Sequence, residues 1–265
     1  YTVEHLVEKL DGSYELYDRQ AFTSDTDSQV TPDVKYMEGF SSPETETAIV
    51  KGDGSTVIRY FYKRNVHRFV LKLNNGQPDA VYDYKYGTKI NIINPERTGY
   101  TFTGWSGTGI DGTAMDPVIT TGSTGNRSYT ANWKENSYVI RFIPYGDGTT
   151  GSMQDMQLMY TDKAALSANQ FKRTGYTFAG WTKKAGADKL YDDNEIISGL
   201  GTADNEIITL YPAWTANEYT VHFDTKDGDA INDLVFTYDK KYELPKASRY
   251  GYTFLGWCVE DGGTV

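Results

Sequence analysis

Short stretches of this chain alternate between apolar and polar positions in the way that half-buried β-strands do. Residues 65–71, 136–142 and 217–223 align so that the third, fifth and seventh positions are aromatic or aliphatic in almost every copy, whereas the fourth and sixth vary. Because successive side chains of a strand point to opposite faces, this pattern predicts strands with one face in a core. A second predicted strand follows each of them, at 80–84, 156–160 and 234–238.

A nine-residue motif, Arg-x-Gly-Tyr-Thr-Phe-x-Gly-Trp, occurs at 97–105, 173–181 and 249–257. Consecutive copies begin 76 residues apart, which indicates tandem structural repeats. In the first two copies a variable stretch follows, at 106–128 and 182–206, and then a closing strand at 129–133 and 210–214. The third copy stops before its closing strand. Because an incomplete sheet exposes an unpaired edge, we expect the parent protein to continue.

The second glycine of the motif predicts a local irregularity in its strand. Strict alternation puts Tyr100 and Phe102 on one face and Trp105 on the other. If all three side chains are in the core, Gly104 must absorb a bulge or bend, which glycine does at low steric cost. The same holds for the equivalent glycines, Gly180 and Gly256.

Residues 1–65 lack the motif and form a different unit. Residues 1–7 and 12–17 predict a hairpin around Leu10-Asp11-Gly12, and residues 56–62 predict the closing strand. We therefore predict four modules, at 1–65, 66–136, 137–217 and 218–265. No Pro-, Gly- or Ser-rich linker separates them, so we expect consecutive modules to abut instead of swinging freely.

These residues carry a family resemblance. Through the motif and the later Leu-Tyr-x-Ala-Trp strand, residues 66–265 resemble the Listeria–Bacteroides repeat, the B repeat of internalin-type proteins. Residues 1–65 resemble the mucin-binding (MucBP) repeat through Tyr1-Thr-Val-Glu-His5, Asp11-Gly-Ser-Tyr14 and residues 56–62. The resemblance implies a mainly β (α+β) fold of tandem β-grasp, ubiquitin-like modules in an elongated arrangement. It also implies a surface protein of Firmicutes or related bacteria, extracellular and anchored to the cell wall through regions outside this sequence.

Charge and cysteine content narrow the function classes. The net charge is −10, with 36 acidic and 26 basic residues, so the chain lacks the clustered cations that bind nucleic acid or an anionic membrane surface. No apolar run approaches the roughly 20 residues of a membrane span. Cys258 is the single cysteine, so no intrachain disulfide can form. Its equivalents, Ser106 and Thr182, are small and polar, and we expect this position to lie outside the deep core.

Candidate chemical groups are scattered along the chain. The segment 107–112 has the spacing Gly-x-Gly-x-x-Gly, but no predicted helix follows it, which favours a surface loop over a dinucleotide site. Two acidic clusters could offer oxygens to calcium, although neither has the alternating spacing of a calcium loop. The histidines are His5, His67 and His222, and the acidic clusters are Asp188 with Asp192, Asp193 and Glu195, and Asp224 with Asp227 and Asp229.

The five tryptophans allow two interpretations. Exposed indole rings could stack on sugars, but all five occupy repeat-equivalent positions, which favours core residues. They are Trp105, Trp133, Trp181, Trp214 and Trp257.

Two functions compete at this point. The first is a non-catalytic stalk that projects another domain from the cell surface, which repetition and short connections favour. The second is a module that itself binds a host glycan, mucin or surface protein through the variable loops 106–128 and 182–206. We expect a monomer with no cofactor, no metal site and no catalytic residue; the ligand-binding residues are not identified by the sequence.

Overall fold

The computed structural model describes residues 1–260, which form strands, turns and loops without a helix. The fold of these residues is therefore mainly β, as predicted. The helical part of an α+β class is not found among them, and the β-grasp assignment stays a prediction. No helix that could span a bilayer occurs in this described part of the chain. The chain divides into two compact units, Tyr1–Lys134 and Glu135–Val265.

The first unit is built from twelve strands, the last of which ends at Glu135. The strands are β1 (Thr2–Glu8), β2 (Tyr14–Ala21), β3 (Gln29–Val30), β4 (Phe40–Ser41), β5 (Ala48–Ile49), β6 (Val57–Arg64), β7 (Val66–Lys72), β8 (Ala80–Lys85), β9 (Ile90–Asn91), β10 (Tyr100–Gly107), β11 (Val118–Ile119) and β12 (Arg127–Glu135).

Residues 1–64 form a four-stranded sheet with the order β2-β1-β6-β4. The predicted hairpin is confirmed, since β1 and β2 are antiparallel and Gly12 in the turn has φ +85°. Strand β1 runs parallel to β6. Side chains of β6 alternate between buried and exposed positions, as expected for a strand with one core face. The buried core residues are Val3, Val7, Met37, Ile58, Tyr60 and Tyr62.

Residues 66–135 form a second sheet with the order β10-β12-β7-β8. Strand β7 is parallel to β12 and antiparallel to β8. A small ladder of β9 and β11 contributes Ile119 to the core, beside Ile92. The buried residues of this core are Phe69, Tyr84, Ile92, Trp105, Ile119, Tyr129 and Ala131.

The second unit repeats this arrangement. Its strands are β13 (Ser137–Phe142), β14 (Met156–Met159), β15 (Ala164–Ala165), β16 (Tyr176–Thr182), β17 (Ile196–Ile197), β18 (Glu206–Ala216), β19 (Glu218–Val221) and β20 (Leu234–Thr237). The sheet order is β14-β13-β18-β16, with β13 parallel to β18 and β15 paired to β17. The buried core consists of Tyr138, Ile140, Phe142, Leu166, Phe171, Trp181, Ile197 and Leu210. Strands β19 and β20 form an antiparallel hairpin.

All three four-stranded sheets share one topology. Each is drawn from one predicted module, and in each the first strand lies between the second strand and the last strand. The first and last strands are always parallel. A module of this kind therefore begins at one end of its sheet and finishes at the other end. The exact module boundaries stay predictions.

The glycine irregularity is present where the motif predicts it. Gly104, Gly180 and Gly256 have φ values of +119°, +146° and +148°. The pairing of β16 with β18 shifts register between Phe178 and Gly180. As a result Phe178 and Trp181 pack together, with ring centroids 4.9 Å apart, although strict alternation would separate them.

Replacing Gly180 by alanine should destabilise the second unit. A Cβ there would lie 2.4 Å from the carbonyl oxygen of Tyr191, and φ is unfavourable for an L-residue. Gly148→Ala is the matched control, because Gly148 also has positive φ but no atom within 4 Å of a Cβ. In urea unfolding followed by tryptophan emission, Gly180→Ala should lose at least about 1 kcal/mol more than the control. Equal losses would show that the close packing around Gly180 is unimportant.

Candidate functional site

The predicted modules are connected by single asparagines. Asn65 alone lies between β6 and β7, Asn136 alone between β12 and β13, and Asn217 alone between β18 and β19. Each asparagine therefore links the closing strand of one module to the first strand of the next. We call each asparagine, together with the groups that bond to it, a joint.

The first joint holds Asn65 by its backbone and its side chain. The Asn65 amide donates to the carbonyl oxygen of Gly39, 2.9 Å away. The Asn65 carbonyl oxygen accepts a hydrogen bond from the Tyr86 amide, also at 2.9 Å. The Ser41 hydroxyl donates to Asn65 Oδ1 at 2.7 Å. Gly39 and Ser41 belong to the first predicted module and Tyr86 to the second, so Asn65 bonds to both.

The joint at Asn217, in the second unit, has the same bonds. The Asn217 amide donates to the Gly175 carbonyl at 2.9 Å, and its carbonyl accepts from the Tyr238 amide at 2.8 Å. The Thr177 hydroxyl donates to Asn217 Oδ1 at 2.6 Å. Thr177 follows Gly175 by two residues, as Ser41 follows Gly39. The two joints thus share one arrangement, even though residues 1–65 lack the nine-residue motif.

Charged groups reinforce the first joint. Lys85 Nζ lies 2.7 Å from Glu8 Oε1, and the Arg64 amide donates to Glu8 Oε2 at 2.8 Å. The Lys85 ammonium group, followed by the Arg64 amide, holds the pKa of Glu8 below its ordinary value. The Arg64 guanidinium also donates to the carbonyl oxygen of Tyr86 at 2.8 Å. The Lys85–Glu8 and Arg64–Tyr86 contacts therefore connect β1 and β6 of the first module to the second module.

The variable loops line open clefts. In the second module a cleft of about 310 Å³ lies beside Ile110, Asp111, Val118, Arg127 and Tyr129. In the third module a cleft of about 280 Å³ lies between the turn 186–189 and Trp214.

The core interpretation of the tryptophans is confirmed for Trp105 and Trp181, which are fully buried. The remaining tryptophans are half-buried. Trp133 packs edge-on against Phe102 at 5.4 Å and donates to the Leu73 carbonyl. Trp214 likewise packs against Phe178 and donates to the Tyr145 carbonyl. Trp257 packs against Phe223 and Phe254.

The other candidate groups do not converge into one site. The segment 107–112 starts at the last residue of β10 and continues as a turn, and the chain then returns to pair Ala114 with Trp105. His5 and His67 lie on strands of different sheets, and His222 is exposed in the second unit. Within residues 1–260, no three histidine, cysteine or carboxylate side chains are placed to hold a metal ion.

The acidic side chains of the cluster around residue 192 are used locally. Asp192 pairs with Lys189 at 2.6 Å, and Glu195 accepts a hydrogen bond from the Asp192 amide. Asp193 accepts from the Asn169 amide. These carboxylates stabilise turns of the loop 182–206.

The Cys258 thiol is exposed and unpaired, as predicted. The expectation that its equivalents lie outside the deep core is wrong for Thr182, which is fully buried, whereas Ser106 is half-buried. Thr182 lies on β16 opposite Tyr211, and its hydroxyl lies 3.4 Å from both the backbone amide and carbonyl of Lys184. A small polar side chain can be buried here because the backbone satisfies its hydroxyl.

Comparison with known families supports the repeat organisation. The Listeria–Bacteroides repeat domain matches residues 138–211 and 219–265, and the divergent InlB B-repeat domain matches residues 72–137. Both kinds of repeat are therefore found in this chain. These matches begin at residue 72, and the mucin-binding resemblance of residues 1–65 stays a prediction.

Three curated proteins are similar to parts of the chain. A "Putative membrane protein" of Evansella cellulosilytica is 28% identical over 76% of this chain and 30% of its own length. A "Putative Gly-rich membrane protein" of the same organism is 28% identical over 63% of the chain and 20% of its own length. Internalin H of Listeria monocytogenes is 30% identical over 54% of the chain and 28% of its own length. The chain thus matches less than a third of each of these relatives.

The asparagine joints are a structural feature that the pattern of strands did not reveal. Their signal is nevertheless visible, because Asn65, Asn136 and Asn217 precede the first strand of every repeat. Nothing in the sequence shows that a glycine carbonyl and a hydroxyl far along the chain meet Asn65 and Asn217.

One buried histidine predicts a pH dependence of the first unit. His5 is 1% exposed, and its Nδ1 lies 2.8 Å from the Tyr62 hydroxyl. Burial, followed by the charge of Lys35, lowers the pKa of His5 below 6.5, while Asp18 opposes this shift. The unfolded chain therefore binds a proton more readily than the folded one, and stability falls as the pH drops below about 6.5.

Thermal unfolding of the first unit between pH 7 and pH 5 should show this loss. His5→Gln should flatten the dependence, because glutamine does not titrate. His222→Gln, an exposed control in the second unit, should leave it unchanged. Acid loss from Glu4, Glu8 and Asp18, whose pKa values are lowered, belongs to a lower pH range. An unaltered profile in His5→Gln would contradict the assignment.

Proposed function

We propose that this chain is a non-catalytic repeat region that acts as a stalk or spacer in a bacterial cell-surface protein. The observation that carries the proposal is the asparagine joint. At Asn65 and at Asn217 a single residue connects two predicted modules, and its amide, carbonyl and side chain are all hydrogen-bonded. A connector with these groups engaged has little freedom to act as a hinge, which suits a spacer better than a flexible tether.

The topology of the modules supports the same function. Because the first and last strands of each sheet are parallel, each module begins and ends at opposite ends of its sheet. In arrays of tandem repeats each module contacts mainly its neighbours. We propose on this basis that the modules are β-grasp-like and that they form an elongated array.

The relatives support a surface location. Two carry the name membrane protein and a third is an internalin, and two kinds of internalin-type repeat are found in this chain. We propose an extracellular location, with cell-wall anchoring through regions outside these residues. The chain matches only 20–30% of each relative's length. The proposal therefore concerns this repeat region and not the activity of a whole protein.

A second candidate function is ligand binding by the modules themselves. The clefts beside the loops 106–128 and 182–206 favour it, since both combine aromatic side chains with charged ones. The partner would be a host glycan or surface protein. The two clefts have different linings, however, with Arg127 and Tyr129 in one and Lys189 and Trp214 in the other. Repeats that served one shared ligand would be expected to present similar clefts, and the spacer function is therefore preferred.

Small-angle scattering of the whole chain tests the spacer. A compact globule of this length would have a radius of gyration of about 18 Å. We expect a clearly larger value, because abutting modules should extend the particle. A value near that of the globule would count against an extended stalk.

A glycan array and a mucin-binding assay test the alternative. We expect no saturable binding by the chain. The control is a variant in which the loops 106–128 and 182–206 are exchanged, which changes both clefts and leaves the hydrogen bonds of Asn65 and Asn217 intact. Saturable binding that the exchange abolishes would replace the spacer with the binding function.

A further inference from the structure

The two described joints share a contact that their hydrogen bonds do not require. The ring of Tyr86 lies directly over Gly39, so that a Cβ on this glycine would be 2.2 Å from Tyr86 Cδ1. The ring of Tyr238 lies over Gly175 in the same way, with 2.3 Å to a Cβ there. No side chain other than hydrogen could occupy either position without displacing the tyrosine.

An aromatic residue and an arginine complete the surface under each tyrosine. Phe40 meets Tyr86 edge to face at 5.9 Å, and Tyr176 meets Tyr238 at 5.6 Å with the same geometry. The guanidinium of Arg64 lies over the ring of Phe40 at 5.0 Å, and that of Arg173 over Tyr176 at 3.7 Å. Edge-to-face pairs and cations over rings are favourable in both cases.

We propose that the glycine, the aromatic residue and the hydroxyl residue that follow one another in the chain form a docking surface for the next module. We call this surface the glycine corner; it consists of Gly39, Phe40 and Ser41 in the first module and Gly175, Tyr176 and Thr177 in the third. The partner that fits it is a module with an asparagine immediately before its first strand and a tyrosine immediately after its second strand. The contact couples the stability of neighbouring modules.

The residue types of this surface recur along the chain. Gly99, Tyr100 and Thr101 repeat the residue types of the glycine corner, and Asn136 and Tyr160 repeat the asparagine and tyrosine that flank the first two strands of a module. The Tyr160 amide donates to the Asn136 carbonyl at 2.9 Å, as the amides of Tyr86 and Tyr238 do to their asparagines. In the second copy of the motif, the first glycine and the tyrosine (Gly175 and Tyr176) thus belong to a glycine corner, whereas the tryptophan, Trp181, belongs to the core.

The inference rests on the proposed spacer for its purpose, because only a spacer needs its modules held in one orientation. Its physical content is a pairwise contact that can be measured separately. A thermodynamic cycle between Gly39 and Tyr86 is suitable, since residues in contact give non-additive effects.

The first experiment compares Gly39→Ala with Gly54→Ala in the whole chain. Both glycines lie in the first module, with φ values of +81° and +77°, but no atom lies within 4 Å of a Cβ on Gly54. Hydrogen exchange is read at the amides of Asn65 and Tyr86, which bond across the joint. We expect Gly39→Ala to accelerate exchange there at least about tenfold and Gly54→Ala to leave it unchanged. Equal effects would overturn the proposal.

The second experiment begins with a comparison that does not require Gly39→Ala, and it then closes the cycle. Tyr86→Ala should accelerate exchange at Asn65, whereas Tyr82→Ala, a half-exposed tyrosine on β8, should not. Once Tyr86 is alanine, adding Gly39→Ala should cause no further acceleration at the joint. Additive effects, or an equal effect of Tyr82→Ala, would overturn docking and leave the spacer standing. Saturable glycan binding would overturn the spacer and leave the cycle unchanged.

Discussion

Parallel pairing between the first and last strands of a module is the constraint on which this architecture depends. A hairpin would return the chain to the end of the sheet where it entered, and successive modules would crowd one face. Parallel strands instead carry the chain to the far end, where the next module can begin after one residue. The cost is a long connection between the paired strands, because parallel strands cannot be joined by a tight turn. The motif strand and the variable loop occupy that connection.

The small size of each module explains the prominence of its aromatic residues. A domain of this length buries a modest fraction of its surface, so the few large side chains in its core contribute a large share of the stability. Trp105 and Trp181 are fully buried in their respective cores and pack edge to face against Phe102 and Phe178. The positive φ of the preceding glycine turns the tryptophan towards the same core as the phenylalanine. The motif therefore allows one strand to place two aromatic side chains in the same small core.

Each module combines a framework of recurring core and joint residues with a surface of variable loops. Core aromatic residues and joint residues recur at equivalent positions, whereas the loops that line the clefts differ in both length and charge. Asn65 and Asn217 are half-buried, and their backbone groups and side-chain oxygens have hydroxyl, carbonyl and amide partners, which avoids the cost of leaving a polar group unpaired. The loops can change without disturbing the Asn65 and Asn217 joints, since none of the hydrogen bonds at these two asparagines involves a residue of the loops.

From the sequence alone we predicted the long strands, the repeat period and the position of the glycine irregularity, because alternation and repetition are local patterns. The sequence also indicated that tryptophans are framework residues. Tertiary structure alone decided the parallel pairing of terminal strands, the full burial of Thr182, and the meeting of Asn65 with Gly39 and Ser41. These depend on which segments come together across tens of residues, and no local pattern records a long-range partner. The joint at Asn65 shows this most clearly, since Gly39 lies in a module without the motif.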